Sequence, residues 1–132
     1  MKDSHDWASL SALLLGLGLP ANPQRVLIVE DDAYVREGLA DALRCLGHEV
    51  DAREGVERSD LPIAGFDLAF LDHYFSSKTL TGVSLTPELR RACPQIVIVG
   101  MSSEVAKNAE MVRLGANLGL VKREIRRLIR EV

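Results

Sequence analysis

Cysteine is scarce: Cys45 and Cys93 are the only two in 132 residues. They form neither a CxxC pair nor a metal-ligand spacing. Cys45 falls inside a helical apolar pattern and Cys93 stands just before Pro94. A disulfide framework and a thiolate metal site are thereby excluded, and packed thiols in a reducing, cytoplasmic compartment are expected. A basic excess is also missing: 16 Lys and Arg stand against 19 Asp and Glu, a net charge of −3. Binders of nucleic-acid backbones usually carry the opposite balance, so no direct nucleic-acid partner is expected. The apolar stretch from Leu10 to Leu19 falls short of the roughly 20 residues that a bilayer requires, so no membrane partner is expected either. A leader peptide begins with positive charge, but here Lys2 is outweighed by Asp3 and Asp6.

What is present is an ordinary globular balance, 47% apolar and 27% charged, enough for one domain with a real core. Its organising stretch is Val26-Leu27-Ile28-Val29-Glu30-Asp31-Asp32. Four aliphatic residues in a row read as a strand buried on both faces, and the run stops in three carboxylates. Two unit charges about 4 Å apart repel by roughly 4 kcal/mol at an effective dielectric near 20. Such crowding is tolerated when a cation sits there, when a carboxyl is protonated, or when the side chains splay into water. Asp32 is also a good cap for a following helix. No glycine-rich phosphate loop follows this strand, which disfavours nucleotide binding.

Before it, Trp7, Leu10, Leu13, Leu14 and Leu17 follow helical spacing, with Ser4 or Asp6 as candidate caps and Gly16, Gly18 and Pro20 as stops. Residues 1–24 are read as an extension, this helix plus a proline-containing linker. The helix must bury its stripe on the domain or on a second copy, making a homodimer. Residues 25–132 then alternate: strands over 25–30, 48–52, 67–71, 95–101 and 118–121; helices over 33–46, 82–92, 104–114 and 124–132. Between 55 and 65, where Pro62 interrupts, one or two helical turns at most are expected. Thr86-Pro87-Glu88 offers a start inside the 82–92 helix. Near-continuous aliphatic strands alternating with helices indicate an α/β fold, a flavodoxin-like doubly wound five-stranded parallel sheet of order 2-1-3-4-5 with helices on both faces.

In that order the first and third strands are neighbours. Their carboxyl ends bring Glu30, Asp31 and Asp72 together; the fourth strand adds a hydroxyl, Ser102 or Ser103, and the fifth a cation, Lys122. A hard divalent ion such as Mg²⁺ takes oxygen ligands of this kind. A carboxylate beside it can act as a nucleophile toward phosphorus.

Three segments carry a family resemblance: VLIVEDD (26–32), FDLAFLD (66–72) and GANLGLVK (115–122). Together they resemble the receiver domain of bacterial two-component response regulators. The resemblance implies a stand-alone receiver in a phosphorelay, not an enzyme beyond catalysing its own phosphorylation and dephosphorylation. By position, Asp72 would accept the phosphoryl group. Asp31, Asp72 and the backbone carbonyl of Tyr74 would bind Mg²⁺, with Glu30 the outer acid, and Lys122 would pair with Asp72 or its phosphate. The implied partners are a histidine kinase or phosphotransfer protein and a downstream protein. The surface around the helices over 104–114 and 124–132, with the strand between them, is where partners or a second copy dock.

The departures concern the switch. Ser76 stands where the family has proline, Gly82 comes two residues late, and Arg123 replaces the proline after Lys122. Gly119 occupies the aromatic switch position. The phosphate-reading hydroxyl falls on Ser102 when counted forward from Pro94, but on Gly100, which has none, when counted back from Gly115. A receiver-like interaction or dimerisation module independent of phosphorylation is therefore the alternative. A phosphatase-like enzyme lacks a second acid placed for a leaving group. His73 is expected to be a solvent-facing loop residue, and Tyr34 and Trp7 packing residues. Arg123, Arg126, Arg127 and Arg130 line the face of the last helix opposite Ile125, Leu128, Ile129 and Val132.

Overall fold

The computed structural model describes residues 7–130; Lys2, Asp3, Ser4, Asp6 and Val132, which figure in the expectations above, lie outside them. The chain runs α1 (Ala8–Gly16), β1 (Arg25–Val29), α2 (Ala33–Cys45), β2 (Glu49–Arg53), a 3₁₀ turn (Arg58–Asp60), β3 (Leu68–Leu71), α3 (Gly82–Ala92), β4 (Val97–Gly100), α4 (Val105–Arg113), β5 (Leu118–Gly119) and α5 (Lys122–Ile129). The five strands are parallel and lie in the order β2-β1-β3-β4-β5, as expected.

The aliphatic runs are sided by strand alternation. Val26 and Ile28 face a core layer with Leu39 and Leu43 of α2 and Ile125 of α5. Leu27 and Val29 face the other, with Leu85 and Leu89 of α3 and Met111 of α4. Asp32 caps α2, accepting from the amides of Tyr34 at 2.9 Å and Val35 at 3.3 Å. The helix stops at Gly47, which takes a positive φ of 96°. A single 3₁₀ turn spans the second crossover, closed by a capping box between Glu57 and Asp60.

Several boundaries differ from the expectation. α3 is continuous through Pro87, because Thr81 and Ser84 form its capping box; Thr86 is no start, and its hydroxyl donates to the Gly82 carbonyl at 2.7 Å. The fifth strand ends at Gly119, and α5 begins at Lys122 itself. With Arg123 in place of proline, nothing holds the chain extended beyond that lysine.

The N-terminal helix resolves its two options by folding back. Trp7, Leu10, Leu14 and Leu19 are buried in the same layer as α2 and α5, while Leu15 faces outward. No helix among the described residues is long and apolar enough to cross a membrane. Leu10 is wholly buried, and truncation of such a leucine costs about 3 kcal/mol. We therefore expect Leu10→Ala to lower unfolding stability by about that amount in urea titrations. If α1 were merely resting on the domain, the midpoint would not move.

Candidate functional site

The parallel order places the ends of β1 and β3 side by side. Val29 pairs with Leu71, so the next residues, Glu30 and Asp72, emerge together, and the amide of Asp72 donates to the Val29 carbonyl at 3.0 Å. One oxygen each from Glu30, Asp31 and Asp72 lies within 4.8 Å of the others. Glu30 is fully buried and Asp72 6% exposed, while Asp31 is open to solvent.

Lys122 answers this charge. From the first turn of α5 its ammonium bonds the Glu30 carboxylate and stands 3.3 Å from Oδ1 of Asp72. Glu30 also accepts from the Asp32 amide at 3.1 Å, and Asp72 from the His73 amide at 2.8 Å. Burial pushes the Glu30 carboxyl up to about 7; the Lys122 hydrogen bond opposes this and the Asp72 charge adds to it. A second cation is placed below. The Arg36 guanidinium donates to the carbonyls of Glu30 at 3.1 Å and Asp31 at 3.2 Å, holding the acidic turn from beneath.

Two residues differ from their expected places. His73 is buried rather than solvent-facing, because α3 starts against it. Its carbonyl accepts from the Gly82 amide at 2.9 Å, its Nδ1 accepts from Val83 at 3.3 Å, and burial lowers its pKa. Glycine at 82 is obligatory for this approach, since a Cβ there would lie 2.2 Å from the Asp72 carbonyl oxygen. Tyr34 is exposed rather than packed, since the capped first turn of α2 points it outward. Tyr74, whose backbone carbonyl was the expected third ligand, also exposes its ring, and the Glu104 carboxylate raises the pKa of its hydroxyl.

The loop between β3 and α3 is tied down by Glu57. Its carboxylate accepts from the Ser77 hydroxyl at 3.1 Å, the Lys78 amide at 3.1 Å and the Thr79 hydroxyl at 2.6 Å. Ser76, at the family's proline position, donates its amide to the Glu54 carbonyl at 3.0 Å. At the end of β4, Gly100 lies opposite Leu71 on one side and Gly119 on the other. Ser102 is buried two residues further on, its Oγ accepting from the Glu104 amide at 3.0 Å.

Arg36 and the burial of His73 were not anticipated. Arg36 left a signal: an arginine in the first turn of α2 runs against the helix dipole, so an anionic or carbonyl partner had to be near. His73 left none, since its burial depends on where α3 begins.

No family model matches the chain, and no curated protein matches it in sequence. Solved structures do match its fold. NtrX from Brucella abortus aligns over 81% of this chain at 24% identity and a TM-score of 0.66; the alignment spans 25% of the NtrX chain. The response regulator TrrA from Thermotoga maritima, solved in complex with Mg²⁺-BeF, aligns over 80% of this chain and 98% of its own, at 22% identity and a TM-score of 0.62. A response regulator from Burkholderia pseudomallei, solved with a phosphorylated aspartic acid and a calcium ion, is 18% identical with a TM-score of 0.64, over 80% of this chain and 66% of its own. The chain has the fold of response-regulator receiver domains, and the resemblance seen in its three segments is supported.

Glu30 generates a stability test. Below its unfolded value of 4.5 the carboxyl is protonated in both states and contributes no pH dependence. Between 4.5 and about 7 the folded state keeps a proton that the unfolded state has lost, so stability falls as pH rises. At about 1.4 kcal/mol per unit, the loss is on the order of 3 kcal/mol. We expect Glu30→Gln, in metal-free protein, to gain stability relative to wild type progressively from pH 4.5 to 7 and to hold that gain above. A constant difference across this window, measured by denaturant titration, would contradict the assignment.

Proposed function

We propose that the chain is a receiver-type signalling module in which Asp72 accepts a phosphoryl group. The observation that carries this reading is the meeting of Glu30, Asp31, Asp72 and Lys122 at one end of the sheet. Asp31, Asp72 and the backbone carbonyl of Tyr74 would hold Mg²⁺, with Glu30 outside them. A cluster of carboxylate oxygens within 4.8 Å, one of them on an exposed residue, suits a hard cation that keeps some of its waters. When bound, Mg²⁺ supplies charge neutralisation for a transferring phosphoryl group.

The chain's own residues do the rest. A carboxylate oxygen of Asp72 attacks the phosphorus of a phosphohistidine on a kinase or phosphotransfer protein. The new P–O bond forms as the P–N bond breaks, and the departing imidazole nitrogen takes the electron pair and then a proton. Lys122, already beside Asp72, offsets the added negative charge. Ser102 is our candidate for the hydroxyl that meets the phosphate. We read residues 25–132 as the receiver-type unit and 1–24 as an extension packed onto it, acting in the cytoplasm through contacts with a downstream protein. A second copy, where one forms, uses α4, β5 and α5, since the stripe of α1 is spent inside the chain.

The alternative, an interaction module independent of phosphorylation, is favoured by one observation: Gly119 leaves no aromatic side chain to rotate. Intact-mass analysis separates the two. After incubation with Mg²⁺ and acetyl phosphate, we expect one phosphate adduct on wild type, none on Asp72→Ala, and none when EDTA replaces Mg²⁺. An unmodified wild type overturns the phospho-acceptor reading in favour of the interaction module.

A further inference from the structure

Gly100 and Gly119 face each other across β4 and β5, and the gap they leave is filled. Asn108, in the middle of α4 and 5% exposed, occupies it so closely that a Cβ on Gly119 would lie 2.7 Å from the Asn108 Cβ. A Cβ on Gly100 would meet the Asn108 Oδ1 at 3.2 Å and the Met111 methyl at 3.0 Å. The buried amide is satisfied at both ends. Its Oδ1 accepts from the Ser102 amide at 2.8 Å. Its Nδ2 donates to the carbonyls of Ser102 at 3.0 Å and Leu120 at 3.2 Å.

We infer that Asn108 is a lock that pins α4 and the loop after β4 to β5 in a single arrangement, whatever the state of the acidic site. The inference goes beyond the phospho-acceptor reading and borrows from it only one arm of its test. A switch through this region needs a side chain with two positions. Here both facing positions are glycine, and the one side chain between them makes three hydrogen bonds in a buried slot. A fully satisfied buried polar network of this kind rigidifies what it joins. Ser102 is fixed through its own amide and carbonyl, and its Oγ accepts from the Glu104 amide. The outer face of α4, where Val105 is 71% exposed and Val112 is also open, is therefore presented permanently rather than on command.

Amide hydrogen exchange on the full chain tests this. In unliganded protein, Asn108→Ala should speed exchange at Ser102 and in β5 by tenfold or more, while β1 and β3 stay protected. Gly119→Ala should do the same from the other side, by driving α4 outward with Asn108 intact, and it decides the matter if Asn108→Ala does not fold. With Mg²⁺ and acetyl phosphate, wild-type changes should stay within residues 30–32, residues 72–75 and the first turn of α5 and leave 102–120 untouched, whereas in Gly119→Ala they should extend into α4. Wild-type exchange that shifts across 102–120 on phosphorylation overturns the lock, as does unaltered Ser102 protection in both variants. Absence of any phosphate adduct overturns the phospho-acceptor reading alone, and the unliganded variants still decide the lock.

Discussion

Three carboxylates that cannot stay apart set the terms for this fold. Once β1 and β3 pair in parallel with Val29 beside Leu71, Glu30 and Asp72 must leave the sheet side by side, and Asp31 follows in the turn. Repulsion between two such charges at about 4 Å is worth roughly 4 kcal/mol near the surface and more with burial. Lys122 comes from 92 residues along the chain to bond Glu30, which explains why α5 must begin where it does. Arg36 braces the turn from below, and Asp32 turns away to cap α2. Burial still holds the Glu30 carboxyl near 7, so the compensation is partial. A partly compensated acidic site is one that gains from a further cation.

The layers around the site follow from helix lengths. α5 runs only from Lys122 to Ile129, so it cannot cover its side of the sheet alone. α1 completes that layer with Trp7, Leu10 and Leu14. The stripe that could have paired two copies is thereby consumed, and Arg123, Arg126 and Arg130 are left as a solvated outer face, with Arg126 reaching Asp32 at 3.7 Å. The opposite layer has no helix in the second crossover. There Glu57 gathers the loop of residues 77–79 against the 3₁₀ turn, fixing a longer connection in place of a missing helix.

What the sequence made legible was whatever depends on local pattern. Aliphatic runs ending in acids reveal strands and their polarity, and parallel topology then converts three sequence positions into one site, because the order 2-1-3-4-5 leaves β1 and β3 no other neighbour between them. The cap at Asp32 and the stop at Gly47 are equally local. Contacts between distant elements were not legible. His73 looks like a loop residue until α3 is placed, and its burial depends on Gly82 letting two backbones meet. Tyr34 looks like a core residue until the cap fixes the phase of α2. Counting along the chain left Gly100 and Ser102 as rivals for one role, because counting cannot see that Gly100 pairs with Gly119 while Ser102 is held by Asn108. An asparagine inside a helix, where it is a poor former, was the one trace of that contact.

These constraints bear on how such a site communicates. A ligand shifts a structure only as far as its free energy of interaction differs between two available states. Charge added at Asp72 acts first on Lys122, at 3.3 Å, and Lys122 is bonded to Glu30 and opens α5. The path of least resistance therefore runs from Asp72 through its lysine to the first turn of α5 and the acidic turn after β1. The path through α4 meets a buried amide held by three hydrogen bonds and in close contact with Gly100 and Gly119. Close-packed interiors respond by discrete rearrangement or not at all. In this chain α4 has been denied the second arrangement, and the elements left free to differ between states are the ones that carry the acids and their counter-ion.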